Sequence, residues 1–303
     1  METLTVPGSD IEVSRLVLGT MTIGSRVGPE EAGTLVATAR EAGITMLDTA
    51  NSYNAGESER ILGEVIAPFR DQVQVASKVF NPVGDGPDDR GLSRPAVRKA
   101  LEATLRRLRT DHLDVYYLHA PDPETPIEET LGAMQEAVDA GLVREVGVSN
   151  YAAWQIAEIR ALQEREDRPP VHISQPGYNL LWRRIEDEYA ACSRRFDLFN
   201  IVYNPLAGGL LTGKHRDLEH PDPDTRFGGG ELSGRYLDRY WNPEQFAAVG
   251  ELRRIADEAG LTLPALAFRW LLGREVVDAV LLGASSTEQL RQNLAAADGP
   301  PLS

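Results

Sequence analysis

Short apolar runs rich in Val, Ile and Leu alternate along the chain with longer stretches whose apolar residues recur at helical spacing. Runs that are short and almost wholly apolar suit strands buried on both faces of a parallel sheet, and the periodic stretches between them suit its helical crossovers. The pattern predicts strands over residues 17–19, 45–47, 73–79, 113–118, 145–148, 173–176, 201–203 and 280–282. Helices are predicted over 29–41, 95–107, 127–140, 153–164 and 287–295, with Ser93 ahead of Pro95, and Thr287 ahead of Glu288, as their starts. Eight strands alternating with helices favour a closed (β/α)8 barrel, although an open doubly wound sheet would give a similar alternation. The open fold would carry G-x-G-x-x-G after a strand, and none is present.

Two segments depart from the repeat. Pro7 to Asp10 reads as the turn of an N-terminal hairpin, and the stretch from Leu211 to Asn242 reads as a long loop after strand seven, of a length usually reserved for function. No linker or low-complexity segment interrupts the chain, so residues 1–303 are expected to form a single barrel domain.

Charge narrows the choice of partners. With 31 basic and 46 acidic side chains, the net charge of −15 opposes nucleic acid and anionic membranes. One cysteine, Cys192, excludes an internal disulfide and a four-cysteine zinc site. The N-terminus has no basic segment followed by an apolar run, and no stretch is apolar enough to span a bilayer, so a cytoplasmic location is expected. A homo-oligomer is left open.

In a β/α barrel the chemistry sits where strands end. Asp48 closes TMLD, Tyr53 follows in DTANSY, Lys78 lies in VQVASKVF, and His119 ends LDVYYLH. Taken singly, Asp48 suits an Asx turn, Tyr53 a half-buried aromatic and His119 a satisfied core residue. An ammonium in an apolar strand, however, is costly unless paired, and Asp48 is the partner at hand for Lys78. Together the four form a coherent site: Lys78 lowers the pKa of the Tyr53 phenol, neutral His119 orients a substrate oxygen, and Tyr53 donates a proton as hydride reaches carbon.

With these four residues the chain resembles the aldo-keto reductases, and the resemblance covers nearly its whole length. It implies that Thr20, Met21 and Asp48 border the cofactor, that Ser149, Asn150 and Gln175 hold the nicotinamide carboxamide, and that Tyr203 stacks on the ring. The run YNPLAGGLLTGK, with Asn204, Pro205, Leu206, Gly208 and Lys214, resembles the loop over the pyrophosphate. LLGASSTEQLRQNLAA resembles the grip on the adenosine phosphate, through Gly283, Ser285, Gln289, Gln292 and Asn293. Many relatives have Arg or Lys where Ser285 stands, so Lys214 and Arg226 are the candidates to supply that charge to NADPH. The segments LHAPDPETPIEETL and QPGYNLLWR are similar to the aflatoxin-aldehyde and succinic-semialdehyde reductase branch, which is related to potassium-channel β subunits.

The implied activity is NADPH-dependent reduction of small aldehydes or ketones. The alternatives are a reductase tailoring a natural-product or nucleotide-sugar ketone, and a cofactor-binding regulatory subunit. Met21, Tyr53, His119, Trp182, Tyr236, Tyr240 and Trp241 are expected around the substrate, a set suited to flat or apolar carbonyl compounds. Arg226, Arg235 and Arg239 in the long loop suit a carboxylate.

Three lookalikes are set aside. Gly208 to Lys214 spells G-x-x-x-x-G-K, but His215 stands where a phosphate-binding loop needs Ser or Thr. His215, Asp217, Glu219 and His220 alternate in a polar loop, so a solvated surface is expected rather than a metal. The basic run Arg106 to Arg109 reads as the polar end of a helix.

Overall fold

The structure, a computed structural model, describes residues 1–215, 218–221, 223, 225–228 and 233–302. It opens with an antiparallel hairpin, β1 (Thr3–Thr5) and β2 (Glu12–Ser14), turned at the expected place. The barrel strands follow as β3 (Leu16–Gly19), β4 (Met46–Asp48), β5 (Gln74–Val79), β6 (Leu113–Leu118), β7 (Val143–Ser149), β8 (Ile173–Gln175), β9 (Phe199–Val202) and β10 (Ala279–Gly283). Each pairs in parallel with the next, and β10 returns to β3, closing the ring.

The helices are α1 (Pro29–Glu41), α2 (Glu57–Ile66), α3 (Arg94–Leu108), α4 (Ile127–Asp139), α5 (Ala153–Arg165), α6 (Tyr189–Phe196), α7 (Ser233–Tyr240), α8 (Pro243–Glu258), α9 (Leu263–Leu272) and α10 (Thr287–Ala297). Ser93 caps α3 as expected, its side chain accepting from Ala96 N–H. For α10 the cap is one residue earlier than expected: Ser286 accepts from Gln289 N–H, and Thr287 is already helical. The stretch taken as a long loop contains α7. Its polar composition and Gly234 hide it from a propensity reading, while Tyr236 and Tyr240, four apart, turn toward the interior.

Strand periodicity explains where the site lies. Side chains two apart share a face, and the lower interior is filled by Val17, Met46, Ala76, Val115, Ile173, Ile201 and Ala279. Val6, Ile11 and Val13 of the hairpin segment join that cluster and plug the N-terminal end. Counting up by twos along the strands carries the same interior face to Asp48, Lys78, His119, Gln175, Tyr203 and Gly283, all at the open end. One glycine is demanded here: a Cβ on Gly147 would come within 2.5 Å of the Tyr117 ring, which lies across the interior below Lys78.

Candidate active site

Lys78 and Asp48 are both buried, and the Lys78 ammonium is bonded directly to Asp48 Oδ1. An ammonium has three N–H donors, and the other two reach the Thr49 carbonyl (2.8 Å) and Tyr53 Oη (3.3 Å). Asp48 Oδ2 accepts from Gln175 Nε2 at 2.8 Å. Burial alone would lower the Lys78 pKa, but the pull of Asp48 and Tyr53 more than reverses it, so the lysine stays charged. At Tyr53 burial is the largest influence and raises the phenol's pKa; Lys78 pulls it down without prevailing. This corrects the expectation that Lys78 lowers the phenol below its ordinary value, because desolvation outweighs the nearby charge.

Tyr53 is presented by an unusual turn. Asn54, Ala55 and Gly56 all have positive φ, at 51°, 54° and 88°, which costs a non-glycine residue about 1–2 kcal/mol. Asn54 Nδ2 compensates by donating to the carbonyls of Met21 (3.0 Å) and Ile23 (2.6 Å), tying the turn to the loop after β3. Behind it, the fully buried Glu59 carboxylate receives Ser77 Oγ (2.5 Å), Thr104 Oγ1 (3.0 Å) and Arg107 Nε (2.7 Å). These bonds fasten α2 to β5 and α3. Arg107, read from sequence as part of a polar helix end, is thus committed to a buried carboxylate.

His119 continues β6, and its ring meets Tyr53 edge-on with centroids 6.1 Å apart. Its pKa is depressed from 6.5 to about 3, first by burial and then by the charges of Lys78 and Arg235, so the imidazole is neutral. Its Nδ1 lies 3.1 Å from Asn81 Nδ2, and its carbonyl accepts from Asn150 Nδ2 at 2.9 Å. Asn150 also accepts from Tyr203 Oη (2.7 Å), while Ser149 Oγ donates to the Gln175 carbonyl (2.9 Å).

These groups line one end of a cavity of about 1090 Å³. Its wall runs from Met21, Asp48, Tyr53 and His119 past Ser149, Asn150, Gln175 and Tyr203, along Asn204, Pro205, Leu206 and Gly208, to Lys214, Arg226, Gly283, Ser285, Gln289 and Asn293. At the far end Gln289 Oε1 accepts from Ser285 N–H (2.6 Å) and Asn293 Nδ2 donates to the Gly283 carbonyl (3.2 Å), folding that loop onto α10.

The sequence matches the model of the aldo/keto reductase family over residues 15–303. The chain belongs to that family of oxidoreductases. Among curated proteins it is 39% identical over 300 residues to aflatoxin B1 aldehyde reductase member 2 of Rattus norvegicus, covering 94% of this chain and 80% of the relative. A probable voltage-gated potassium channel subunit beta of Oryza sativa subsp. japonica is 35% identical, covering 97% of this chain and 90% of the relative. Aldo-keto reductase YhdN of Bacillus subtilis (strain 168) is also 35% identical, covering 96% and 87%.

Several residues expected at this aldo/keto reductase's cavity lie elsewhere. Thr20 is buried, its hydroxyl donating to the Asp48 carbonyl (3.1 Å) and meeting Ser58 Oγ (3.0 Å). Gln292 lies on the exposed face of α10, donating to Glu288 (3.0 Å). Trp182 stands behind Tyr203, with the Arg239 guanidinium 3.7 Å over its ring. Trp241 anchors the long loop: its Nε1 donates to the Leu218 carbonyl (2.8 Å) and its ring rests on Phe227 at 4.6 Å. Tyr240 is buried, its hydroxyl accepting from Asn179 (3.0 Å) and Asn204 (2.8 Å). In each case the side chain is already engaged by a partner within the protein.

Conversely, Phe80, Asn81, Arg26 and Asn54 line the cavity and were not singled out from sequence. The available signal for Phe80 and Asn81 was their place just beyond β5. Among the described residues no group of three or more His, Cys, Asp or Glu could hold a metal, and Asp217 lies outside them. No described helix is long and apolar enough to cross a membrane.

Proposed function

We propose that the protein, acting as a single barrel domain, reduces aldehydes or ketones to alcohols with NADPH, and that Tyr53 delivers the proton. One observation carries the reading: Lys78 directs an N–H at Tyr53 Oη, which leaves the phenol's own proton free to face the cavity. The raised pKa keeps that proton in place at neutral pH, and the charge of Lys78 steadies the phenolate once it leaves. Asp48 holds the ammonium, Gln175 holds Asp48, and neutral His119 donates to the carbonyl oxygen.

The cavity fits the cofactor. At about 1090 Å³ it exceeds the roughly 300–1,000 Å³ of sites for drug-sized ligands, and it runs unbroken from Tyr53 to α10. Ser149, Asn150 and Gln175 would hold the carboxamide, with Tyr203 against the ring. Thr20 would take part through its place beneath Asp48, Gln292 through the exposed rim of α10. Backbone around Gly208 would face the pyrophosphate. The capped N-terminus of α10, with Ser285 and Arg226 nearby and Lys214 on the same cavity wall, suits the 2′-phosphate. When bound, NADPH supplies the hydride to the carbonyl carbon.

Met21, Phe80 and Tyr236 give the substrate end an apolar wall, while exposed Arg235 makes no ion pair among the described residues. Trp182 and Trp241 would shape this end only through the loop they support. The substrates that suit this end are aromatic aldehydes and small aldehydes bearing a carboxylate. Measuring kcat/KM with NADPH over aromatic aldehydes, succinic semialdehyde, simple ketones and free aldoses tests the reading. Aldoses or a nucleotide keto-sugar leading the series by about tenfold would favour a tailoring role. NADPH binding without turnover would favour a cofactor-binding regulatory subunit.

A further inference from the structure

A neutral imidazole carries one proton and has two nitrogens on which to place it. At His119 the choice is constrained by Asn81, whose Nδ2 lies 3.1 Å from Nδ1. A carboxamide nitrogen donates and cannot accept. With the Asn81 amide in this orientation, Nδ1 is the acceptor and the ring proton goes to Nε2. Among the described residues nothing hydrogen-bonds Nε2, and the ring lines the cavity.

The placement of Asn81 is itself imposed. In a regular strand Lys78 and Phe80 would face inward and Asn81 outward. Phe80 instead has φ of 155°, a conformation rare for an L side chain, and its carbonyl is pinned by Gly91 N–H at 2.8 Å. That turn puts both Phe80 and Asn81 on the cavity wall. Backbone strain of this kind persists only where its surroundings enforce it.

We infer that Asn81 is a positioning residue that fixes the tautomer of His119, holding the proton on Nε2 as a donor into the cavity. This rests on the proposed role of His119 toward a carbonyl oxygen. With the proton on Nδ1, the ring would turn a lone pair toward that oxygen and repel it. Lys78 from β5, Arg235 from α7 and the neutral phenol of Tyr53 are the titratable groups facing the ring. The two cations oppose imidazolium, and Asn81 adds no charge to offset them.

The direct test is ¹⁵N NMR of the histidine-labelled protein, without cofactor or substrate. His119 should show a pyridine-type Nδ1 and a protonated Nε2; a protonated Nδ1, or an even mixture, overturns the inference. Asn81→Asp replaces the donor by an acceptor and should move the proton to Nδ1. Its kcat should fall by roughly 10²-fold or more, toward the about 10⁴-fold that a wrong tautomer costs a Ser-His-Asp hydrolase, with the Kd for NADPH unchanged. Asn81→Ala should give a smaller loss and a mixed tautomer. Wild-type kcat in Asn81→Asp overturns the inference, and the wild-type spectrum decides even if that variant does not fold. A protonated Nε2 in a protein without reductase activity would uphold the role of Asn81 and reject the proposed reaction instead.

Discussion

Gln175 Nε2 lies 2.8 Å from Asp48 Oδ2, although their strands, β8 and β4, stand four places apart in a ring of eight. The bond crosses the mouth of the barrel. It fixes one carboxylate oxygen from the far wall while Lys78 takes the other from the adjacent strand. Asp48 cannot rotate without breaking one of these bonds, so the ammonium it holds stays aimed at Tyr53.

Tyr53→Phe keeps the ring and removes the proton. Steady-state reduction should lose about 10²–10⁴ in kcat, the usual contribution of general acid catalysis, while the Kd for NADPH stays the same. A variant with half the wild-type rate would show that another group supplies the proton.

Lys78→Met removes both the charge and the hydrogen bond that pull the Tyr53 pKa down. Reduction needs the protonated phenol, so its rate declines as pH rises through that pKa, already above the ordinary 10. The variant's limb should move still higher, with a lower maximum. Asp48 would also lose its buried partner, at a cost of about 3–5 kcal/mol, visible in urea unfolding. An unmoved limb would leave Lys78 a structural role only.

His119 titrates near pH 3 in the folded protein and near 6.5 when unfolded. Between those values the unfolded chain binds the extra proton, so stability contributed by neutral His119 is present above 6.5 and is lost as pH falls toward 3. The slope from this group is at most about 1.4 kcal/mol per pH unit. Urea unfolding at a series of pH values should show a shallower acid decline for His119→Gln. Identical declines would mean that the folded ring accepts its proton freely.

Arg226 Nη2 lies 3.2 Å from where a Cβ would stand on Gly283, at the end of the cavity beside Ser285. Neutralising Arg226 should raise the Kd for NADPH roughly tenfold, as expected for losing one charged hydrogen bond, and leave NADH nearly unaffected. Lys214→Ala should act in the same direction. Fluorescence titration checks both, and equal affinity of the unmutated protein for the two cofactors would refute the assignment.

Arg235→Gln should lower kcat/KM for succinic semialdehyde by roughly tenfold relative to a nitrobenzaldehyde, if the guanidinium meets the carboxylate. An equal loss on both substrates would place Arg235 in loop packing.

The barrel was legible because a parallel strand buried on both faces is written as a short, mostly apolar run, and all eight such runs became strands. The four chemical residues were legible because each lies within or just after one of those runs. Less visible was whatever depends on a partner distant in sequence. Trp241 reads as a binding aromatic until Leu218 and Phe227 occupy it, Arg107 reads as solvated until Glu59 is found behind it, and Asn81 gives no signal until His119 lies against it. The Tyr53 pKa fails for a similar reason: spacing reveals the lysine but not the depth at which both groups sit.

The junction of β10 with β3 has a consequence for biosynthesis. Leu16–Gly19 waits for Val280–Gly283, the last of the barrel strands to be synthesised. Until then the sheet is an open ribbon with two unpaired edges, a form prone to joining other chains. Asp48 and Lys78 come together early from neighbouring strands, but Gln175 must arrive before the carboxylate is held on both sides. A nascent chain therefore carries its charge pair before it has a finished wall around it, and the edge strands are where a chaperone would be needed.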